Sequence, residues 1–213
     1  MNILVSAGPT VEDIDDVRFI SNRSTGRMGY AVAQAAVAAG HRVCLVSGPV
    51  QLPPPDGVDF VPARSADDML TALRERFSWC NGLVMTAAVG DYMPVETIRG
   101  KRHKTDDNAE EWVLRLKRTP DILETLKPLK RPGQVVIGFS VDSGINPGLG
   151  AEKLARKGLD WIVVNDVSSF GSDTARFILL SSRGERDDIG PSAKSDLAAR
   201  LLNIIETQVV VDG

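Results

Sequence analysis

The sequence predicts an α/β fold, a Rossmann-like three-layer sandwich with a mostly parallel sheet and a protruding flap. A strand-like apolar run at residues 2–6 leads through a polar stretch into a helical run at 27–39, and a second strand follows at 42–47. Strand, helix and strand in this order form a right-handed βαβ unit with parallel strands. Buried strands and amphipathic helices then alternate along the chain, which is typical of α/β proteins. A basic segment at about 95–118 interrupts this alternation and predicts the flap.

The polar stretch between the first strand and the first helix is rich in Gly, Ser, Asn and Arg. Gly8 and Pro9 predict a tight turn after the strand, and Ser24 or Thr25 suits the N-cap of the helix. Free N–H groups and the positive end of a helix dipole favour an anion there. Capping alone would need one Ser or Asp, whereas this stretch also contains Gly26, Gly29, Asn22, Arg18, Arg23 and Arg27. We therefore predict an anion or nucleotide site at the carboxyl end of the first strand.

The next elements follow from apolar periodicity and from turn residues. A proline-rich loop at 51–57 precedes a short strand at 58–62, and a helix capped by Ser65 runs to about residue 78. A buried strand at 82–86 then feeds a loop of small residues, Ala87-Ala88-Val89-Gly90-Asp91-Tyr92. This second loop is expected on the same sheet edge, with room for a flat ligand. Asp91 suits a turn, a hydrogen bond to a base or ribose, or a metal contact.

The second half of the chain continues the alternation. Thr119 and Pro120 predict a helix start, with the threonine as the cap and the proline at the first helical position. The remaining predictions are a strand at 134–139, a loop at 140–150, a helix at 151–157, strands at 161–164 and 176–182, and a terminal helix at 191–206. No internal repeat is visible, and we predict one domain over residues 1–213.

The predicted flap combines a basic run with an alternating stretch. The run reads Ile98-Arg99-Gly100-Lys101-Arg102-His103-Lys104, and the stretch after it alternates Trp112, Leu114 and Leu116 with Val113, Arg115 and Lys117. A charged run is usually a solvated loop. This run, however, follows the predicted anion site closely and is rich in groups that bind phosphate. We expect the flap to close over the site and exclude water.

Charge and composition limit the classes of function. The chain has 213 residues and a net charge of −3, which argues against a general nucleic-acid binder. No apolar run is long enough to span a bilayer, and the start does not resemble a signal peptide, so we expect a cytoplasmic protein without a membrane partner. Cys44 and Cys80 give no disulfide framework, and no Cys/His cluster has the spacing of metal ligands.

Short motifs are spread over most of the chain: Ser6-Ala7-Gly8-Pro9-Thr10, Val17-Arg18, Ile20-Ser21-Asn22, Ser24-Thr25-Gly26, Met28-Gly29, the loop from Ala87 to Tyr92, Pro120-Asp121-Ile122-Leu123, Gly138-Phe139 and Asn165-Asp166-Val167. In this order they resemble the signature of phosphopantothenoylcysteine synthetases (phosphopantothenate–cysteine ligases), including the synthetase domain of the bacterial bifunctional coenzyme A biosynthesis protein.

The resemblance implies a ligase that joins 4′-phosphopantothenate to the amino group of cysteine in coenzyme A biosynthesis. Bacterial members generally use CTP and eukaryotic members ATP. The reaction passes through an acyl-nucleotide intermediate and releases pyrophosphate, with Mg²⁺ acting through the phosphates. The resemblance also implies a Rossmann-like homodimer whose flap reaches the partner's site. Many bacterial members carry a flavin-containing decarboxylase domain before this one, and we expect neither that activity nor FMN here.

The resemblance also implies roles for individual residues. Asn22 would orient the carboxylate and polarise the intermediate, Arg18 would support the second step, and Lys101 would neutralise the transferred phosphate. The implied nucleotide-binding residues are Gly8, Ser24, Thr25, Gly26, Thr86, Ala87, Ala88, Asp91, Lys101, Pro120, Asp121, Ile122, Leu123, Phe139, Lys153 and Lys157, with no metal ligand among them. Such donors and cations suit a reaction in which a carboxylate attacks a phosphate.

Some positions depart from the family pattern. Thr25 stands where serine is usual, Gly90 where alanine is usual, and Asp142-Ser143 where Glu-Thr is usual. His103 stands where bacterial members more often have a second lysine. We expect these changes to affect affinity and flap contacts rather than the reaction.

Three alternative functions stay open at this stage. A nicotinamide-dependent oxidoreductase would share the βαβ start, but Gly-x-Gly-x-x-Gly is missing and the strand at 42–47 ends without an acidic residue. A non-catalytic nucleotide-binding protein could share the fold, although it has no need of Asn22, Lys101 and Asp91 together. A synthetase with an altered acid or amine substrate is the third.

Overall fold

Strands and helices alternate along the computed structural model, which describes residues 1–103, 110–169, 172 and 174–211. Lys104 of the basic run lies outside the described residues. In chain order the elements are β1 (Asn2–Ala7), β2 (Val11–Asp13), β3 (Phe19–Ser21), α1 (Arg27–Ala38), β4 (Arg42–Ser47), β5 (Val58–Pro62), α2 (Ala66–Phe77), β6 (Gly82–Met85), β7 (Tyr92–Pro94), β8 (Leu116–Arg118), α3 (Ile122–Leu126), β9 (Val135–Asp142), α4 (Pro147–Lys157), β10 (Trp161–Asp166), β11 (Thr174–Ser181), β12 (Arg186–Ala193) and α5 (Lys194–Val211).

Within the described part of the chain, eight strands form one sheet in the order β12-β11-β10-β9-β6-β1-β4-β5. The strands from β10 to β5 pair in parallel, and β11 and β12 extend one edge in antiparallel pairing. The predicted mostly parallel sheet is therefore confirmed. The chain leaves β1 towards β4 on one side and later returns through β6 on the other side of β1. Ligands bind in the crevice that such a reversal opens at the carboxyl ends of the strands.

Helices cover both faces of the sheet, as the three-layer prediction requires. Ile3 and Val5 of β1 pack into a cluster with α1 and α5, whereas Leu4 points into a second cluster with α2, α3 and α4. Parallel strands that are buried on both faces need apolar residues at every position, not at alternate ones. This requirement explains the continuous apolar runs of β1, β4 and β6.

In the first half of the chain, every predicted strand and helix is present within about one residue at each boundary, and the second helix is capped as expected. The hairpin of β2 and β3 was missed, because it lies inside the stretch that was predicted to be a polar loop. Ser65 Oγ accepts a hydrogen bond from Asp68 N at 3.0 Å, while the Asp68 side chain accepts one from Ser65 N at 2.9 Å. This capping box satisfies free N–H groups at the start of α2.

Other helix starts were predicted wrongly. The N-cap of α1 is Gly26, with φ of 76° and no side-chain hydrogen bond, instead of Ser24 or Thr25. The N-cap of α3 is Asp121, which accepts from Glu124 N at 3.1 Å, whereas the Thr119 hydroxyl donates to the Gly90 carbonyl. In both cases a predicted cap residue, Ser24 or Thr119, makes its hydrogen bond within a loop instead of to the N–H groups of the next helix.

The second half contains further corrections. The predicted loop at 140–150 holds the end of β9 and the start of α4, which Asn146 caps. The terminal helix begins at Lys194, because Pro191 belongs to β12. This strand lies at the sheet edge, and its pairing register shifts nearby, between Ala175 and Phe177. Edge strands and bulges are where a strand tolerates proline.

The flap is confirmed as a ribbon outside the main sheet. β7 and β8 pair in antiparallel register, with Tyr92 opposite Arg118 and Pro94 opposite Leu116. The predicted strand is shorter than its alternation suggested, because the pairing begins only at Leu116. The alternation holds from Trp112 to Arg115, since Trp112 and Leu114 are half-buried and Val113 is 79 % exposed, but it fails at Leu116, which is 43 % exposed.

Candidate nucleotide site

The loops that follow β1 and β6 are joined to each other by backbone hydrogen bonds. Ala88 N donates to Gly8 O at 2.9 Å, and Thr10 N donates to Ala88 O at 3.2 Å. Thr86 Oγ1 donates to Ser6 O at 2.6 Å. These bonds extend the pairing of the two strands beyond the sheet, so the two loops predicted to contact a ligand form one rigid edge.

The start of α1 lies against the same edge. A Cβ on Gly26 would be 3.5 Å from Gly8 N and 2.9 Å from Val50 Cγ1, and a Cβ on Gly8 would also be 2.9 Å from that methyl group. Both glycines have positive φ, which disfavours any larger residue. Ser24 Oγ accepts from Gly26 N at 3.3 Å, within the loop rather than the helix. Among the described residues, no side chain caps the start of α1, and a helix start of this kind favours an anion.

Asn22 reaches across to the β6 loop from the segment before α1. Its Nδ2 donates to Ala88 O at 3.0 Å, although the residue is largely exposed. Thr10 supports the same region, since its hydroxyl accepts from Gly90 N at 2.9 Å and its carbonyl accepts from Ser21 Oγ at 2.8 Å. The structure therefore brings Asn22, Ala87 and Ala88 together with the start of α1.

Arg18 is held by a residue that the sequence analysis did not single out. Asp15, whose side chain is fully buried, accepts from Arg18 Nε at 3.0 Å and pairs with Arg18 Nη2. The Arg18 guanidinium and nearby N–H groups hold the pKa of the Asp15 carboxyl well below its usual range. An Asp three residues before an Arg was the available signal, but that spacing is common in loops. Trp112 was also missed as a partner, and its ring centroid lies 4.6 Å from Arg18 Cζ.

Two predicted lysines on α4 occupy different environments. Lys153 Nζ donates to the carbonyl of Phe139 at 2.7 Å, at the carboxyl end of β9. Burial lowers the pKa of Lys153, and the negative charge of Asp91 opposes this shift. Lys157, one turn further, is 5 % exposed and pairs with Asp121 and with Glu124, the latter at 3.0 Å. Burial also lowers the pKa of Lys157, and Asp91 opposes this shift as well. The two lysines thus share the influence of Asp91, but Lys153 contacts the end of β9 whereas Lys157 is paired at the start of α3.

The remaining predicted residues divide into exposed and buried groups. Lys101 and Thr25 are exposed, and Asp91 is exposed beside Thr119, whose N–H donates to the Asp91 carbonyl at 3.0 Å. Ile122 and Leu123 are buried in the apolar cluster between α2 and α4, so their side chains serve the core. Pro120 is half-buried just before the Asp121 cap.

Metal and membrane-spanning features are both missing from the described residues. No group of three or more His, Cys, Asp or Glu side chains there is arranged to hold a metal ion. Nor does that part of the chain contain a helix with the length and apolar character needed to cross a membrane.

Curated relatives cover the chain almost completely. Coenzyme A biosynthesis bifunctional protein CoaBC of Bacillus subtilis (strain 168) is 39% identical over 209 residues, which are 96% of this chain and 50% of that protein. A protein named cysteine/cysteine sulfinic acid decarboxylase, from an unknown prokaryotic organism, is 37% identical over 212 residues, covering 97% of this chain and 58% of that protein. The chain thus spans about half the length of the curated relatives it matches.

A solved structure and a family model agree with these relatives. The crystal structure of the C-terminal domain of coenzyme A biosynthesis bifunctional protein CoaBC superposes with a TM-score of 0.84 and 36% identity, covering 99% of this chain and 96% of that one. The family model described as the DNA/pantothenate metabolism flavoprotein C-terminal domain matches residues 1–209. The family predicted from the motifs is confirmed, and the chain belongs to the DNA/pantothenate metabolism flavoprotein C-terminal domain family.

Proposed function

We propose that this chain is a phosphopantothenate–cysteine ligase of coenzyme A biosynthesis, with CTP, or else ATP, as its co-substrate. The observation that carries the proposal is the position of Asn22, whose amide reaches Ala88 at the switch point of the sheet beside the uncapped start of α1. Membership of the family and 39% identity to a coenzyme A biosynthesis bifunctional protein support the same reaction.

The reaction has two steps that place different demands on the site. In the first, a carboxylate oxygen of 4′-phosphopantothenate attacks the α-phosphorus of the nucleotide, and the bond to pyrophosphate breaks. In the second, the cysteine amine attacks the acyl carbon and loses a proton, and the nucleoside monophosphate leaves. The first step brings negative groups together, so the N–H groups of α1, Lys153 and Lys101 would offset their charge. Asn22 would orient the acyl group, and Arg18 would support the transfer to cysteine.

The nucleotide would lie along the edge formed by the two loops. Gly8 and the segment Ser24-Thr25-Gly26 would contact its phosphates, while Thr86, Ala87, Ala88 and Asp91 would face its base and ribose, with Phe139 as a wall. The pocket would be supported on its protein side by the segment Pro120-Asp121-Ile122-Leu123. Lys157 would contribute by holding Asp121 in place. Mg²⁺ supplies additional positive charge when it is bound with the phosphates. The loop from Ala87 to Tyr92 has one carboxylate, that of Asp91, which suits a cation carried by the nucleotide rather than one held by the protein.

Further parts of the proposal concern the whole chain. We infer one domain over residues 1–213, a homodimer, a cytoplasmic location and no use of FMN. Exposed apolar side chains on β3, β7 and β8 and in the segments next to them support a self-association surface; they are Val17, Phe19, Tyr92, Val95, Val113 and Leu116. Exposed apolar groups gathered on adjoining elements are typical of protein interfaces.

Pyrophosphate release tests the proposal. The chain is incubated with 4′-phosphopantothenate, Mg²⁺ and either CTP or ATP, with and without cysteine. Release that depends on phosphopantothenate and continues only with cysteine is expected, and the preferred nucleotide is identified by the same assay. Failure with both nucleotides would contradict the ligase and favour an altered substrate or a non-catalytic nucleotide-binding protein. Carbon dioxide release from cysteine, measured in parallel, examines the activity named for the second relative.

A further inference from the structure

We propose that Asp15 is a positioning residue that holds Arg18 and the base of the flap in one fixed arrangement. The base of the flap is defined here as residues 97–102. The kinetic consequence rests on the ligase proposed above, whereas the structural consequence can be measured without any turnover.

The Asp15 carboxylate joins two separate segments of the chain. Within its own loop it accepts from Val17 N at 2.9 Å, from Arg18 N at 2.8 Å and from Arg18 Nε at 3.0 Å. Across the sequence it accepts from Arg102 N, at 3.3 Å from Oδ2. The side chain is fully shielded from solvent. Leaving a buried carboxylate without such partners is strongly destabilising. The folded chain therefore keeps Arg18 and Arg102 in contact with Asp15.

Arg18 also contacts the base of the flap directly. Its Nη2 donates to Arg102 O at 3.1 Å, so Arg102 is held at both its N–H and its carbonyl. The guanidinium carbons of Arg18 and Arg102 lie 4.6 and 4.8 Å from the ring centroid of Trp112. Two guanidinium groups on one ring repel each other, and the Asp15 carboxylate between their backbones offsets this charge.

Asp16, next to Asp15, anchors Gly100, the residue that precedes Lys101. Gly100 N donates to Asp16 Oδ2 at 2.9 Å, and Asp16 N donates to Gly100 O at 3.2 Å. Ile98 N donates to Ile14 O at 3.0 Å. Lys101 therefore lies between two residues whose backbones are fixed on the same loop. Two of the three proposed catalytic residues, Arg18 and Lys101, owe their placement to this loop, and Asp15 is its buried centre.

Kinetics provide the first test. Asp15→Asn keeps the size of the side chain but removes the charge that pairs with Arg18. We expect kcat to fall about tenfold or more, with KM for the nucleotide changed less, because a misplaced group costs the chemical step most. Asp13→Asn is the matched control, since the Asp13 carboxylate pairs with Arg64 at 2.6 Å. Thr97 of the flap base contacts Asp13 at its backbone carbonyl, which the substitution leaves in place. The kcat of Asp13→Asn should stay within about twofold of wild type. An unchanged kcat in Asp15→Asn would overturn the kinetic role.

Fluorine NMR provides a test that needs no activity. The chain has three tryptophans, Trp79, Trp112 and Trp161, so 5-fluorotryptophan gives three resonances, and Trp112→Phe assigns the one beside Arg18. In Asp15→Asn the Trp112 resonance should shift while the other two stay in place, and trypsin should cleave after Lys101 and Arg102 several times faster. If the Trp112 resonance keeps its wild-type position and trypsin cleaves at the wild-type rate, the positioning role is refuted.

Two further results remain decisive. If Asp15→Asn loses its fold and all three resonances collapse, Asp16→Ala replaces it, because this exposed side chain anchors Gly100. Faster cleavage in Asp16→Ala then supports the anchored flap base, and a wild-type rate contradicts it. If the wild-type chain releases no pyrophosphate, the proposed function fails, and the NMR and cleavage results alone decide the role of Asp15.

Discussion

Asn22 lies at the candidate site, where its side chain hydrogen-bonds to the backbone of a neighbouring loop. Its Nδ2 donates to Ala88 O at 3.0 Å. In Asn22→Asp, a carboxylate would face that carbonyl and repel both it and the acyl intermediate. We expect this variant to release pyrophosphate on the first turnover and yet fail to pass the acyl group to cysteine. Rapid-quench measurement of the two steps checks this expectation, and normal steady-state turnover would show that the role assigned to Asn22 is wrong.

The charge of Asp15 predicts a pH dependence of stability. Its folded-state pKa is held below the usual range chiefly by the Arg18 side chain, whereas the unfolded-state pKa is about 4. The stabilisation from the ionised carboxyl is therefore present above about pH 4 and is lost as the pH falls through the folded-state pKa. Asp15→Asn should unfold at a lower temperature than wild type at pH 7, and this difference should shrink on acidification.

Thermal unfolding of both proteins between pH 7 and pH 2 provides the measurement. Asp56→Asn, in an exposed loop, is the control and should unfold within a few degrees of wild type throughout. A difference between Asp15→Asn and wild type that stays constant over this range would mean that shape, and not charge, accounts for the effect.

At the scale of elements, the approach of α1 to the sheet determines where the N-terminus of this helix lies. Gly29, in the first turn of α1, has no room for a side chain: a Cβ there would be 2.5 Å from Ala7 Cβ and 2.6 Å from Thr86 Oγ1. The missing side chain allows the helix start to contact the ends of β1 and β6. The glycine at this position is therefore needed for packing rather than for backbone conformation.

Gly29→Ala should destabilise the protein, although alanine is the better helix former. Higher helix propensity would add less than about 1 kcal/mol, while overpacking costs about 1–3 kcal/mol. The net loss should lower Tm by about 2–4 °C for each kcal/mol and should weaken nucleotide binding. Gly190→Ala is the control, because no heavy atom lies within 4 Å of its added Cβ. A Gly29→Ala protein as stable as wild type would contradict the close approach.

For the molecule as a whole, the ribbon of β7 and β8 is the main departure from a simple sandwich. It leaves the sheet between β6 and α3 and carries exposed apolar groups, of which Val113 is 79 % and Leu116 43 % exposed. Phe19, on the hairpin that precedes α1, is 55 % exposed. Covering such groups by a second copy would remove apolar area from water at about 25 cal/mol for each Å².

Light scattering should therefore give a mass of twice the 23.0 kDa of one chain. Val113→Asp should shift this equilibrium towards the monomer, because a charge buried in an apolar interface is costly. Leu129→Asp is the matched control, since Leu129 is similarly apolar and 44 % exposed but lies after α3, outside the ribbon. If wild type is monomeric, or if both variants stay dimeric, the ribbon does not form the interface.

The sequence by itself determined the class of the fold and the place of the candidate site. Continuous apolar runs indicate strands that are buried on both faces, and these alternate with helices. The cap of a helix such as the one that follows Ser65 depends only on residues adjacent in the sequence. The polar loop after β1 and the loop of small residues after β6 then had to meet at one edge. The motifs with Asn22 and Gly8 also sufficed for the family, because backbone geometry and ligand chemistry there demand particular residue types.

Only the tertiary structure decided which partner each polar group takes. Lys157 pairs with Asp121 and Glu124, thirty-odd residues earlier, although helical spacing alone placed it beside Lys153. The sequence did not indicate that Asp15 supports Arg18, because the contact of Asp15 with Arg102 joins segments that are far apart in the chain. Such pairings depend on contacts between distant segments, and a sequence pattern of period two or 3.6 contains no information on which loop will lie opposite which. Chain order therefore predicts elements, while packing selects partners.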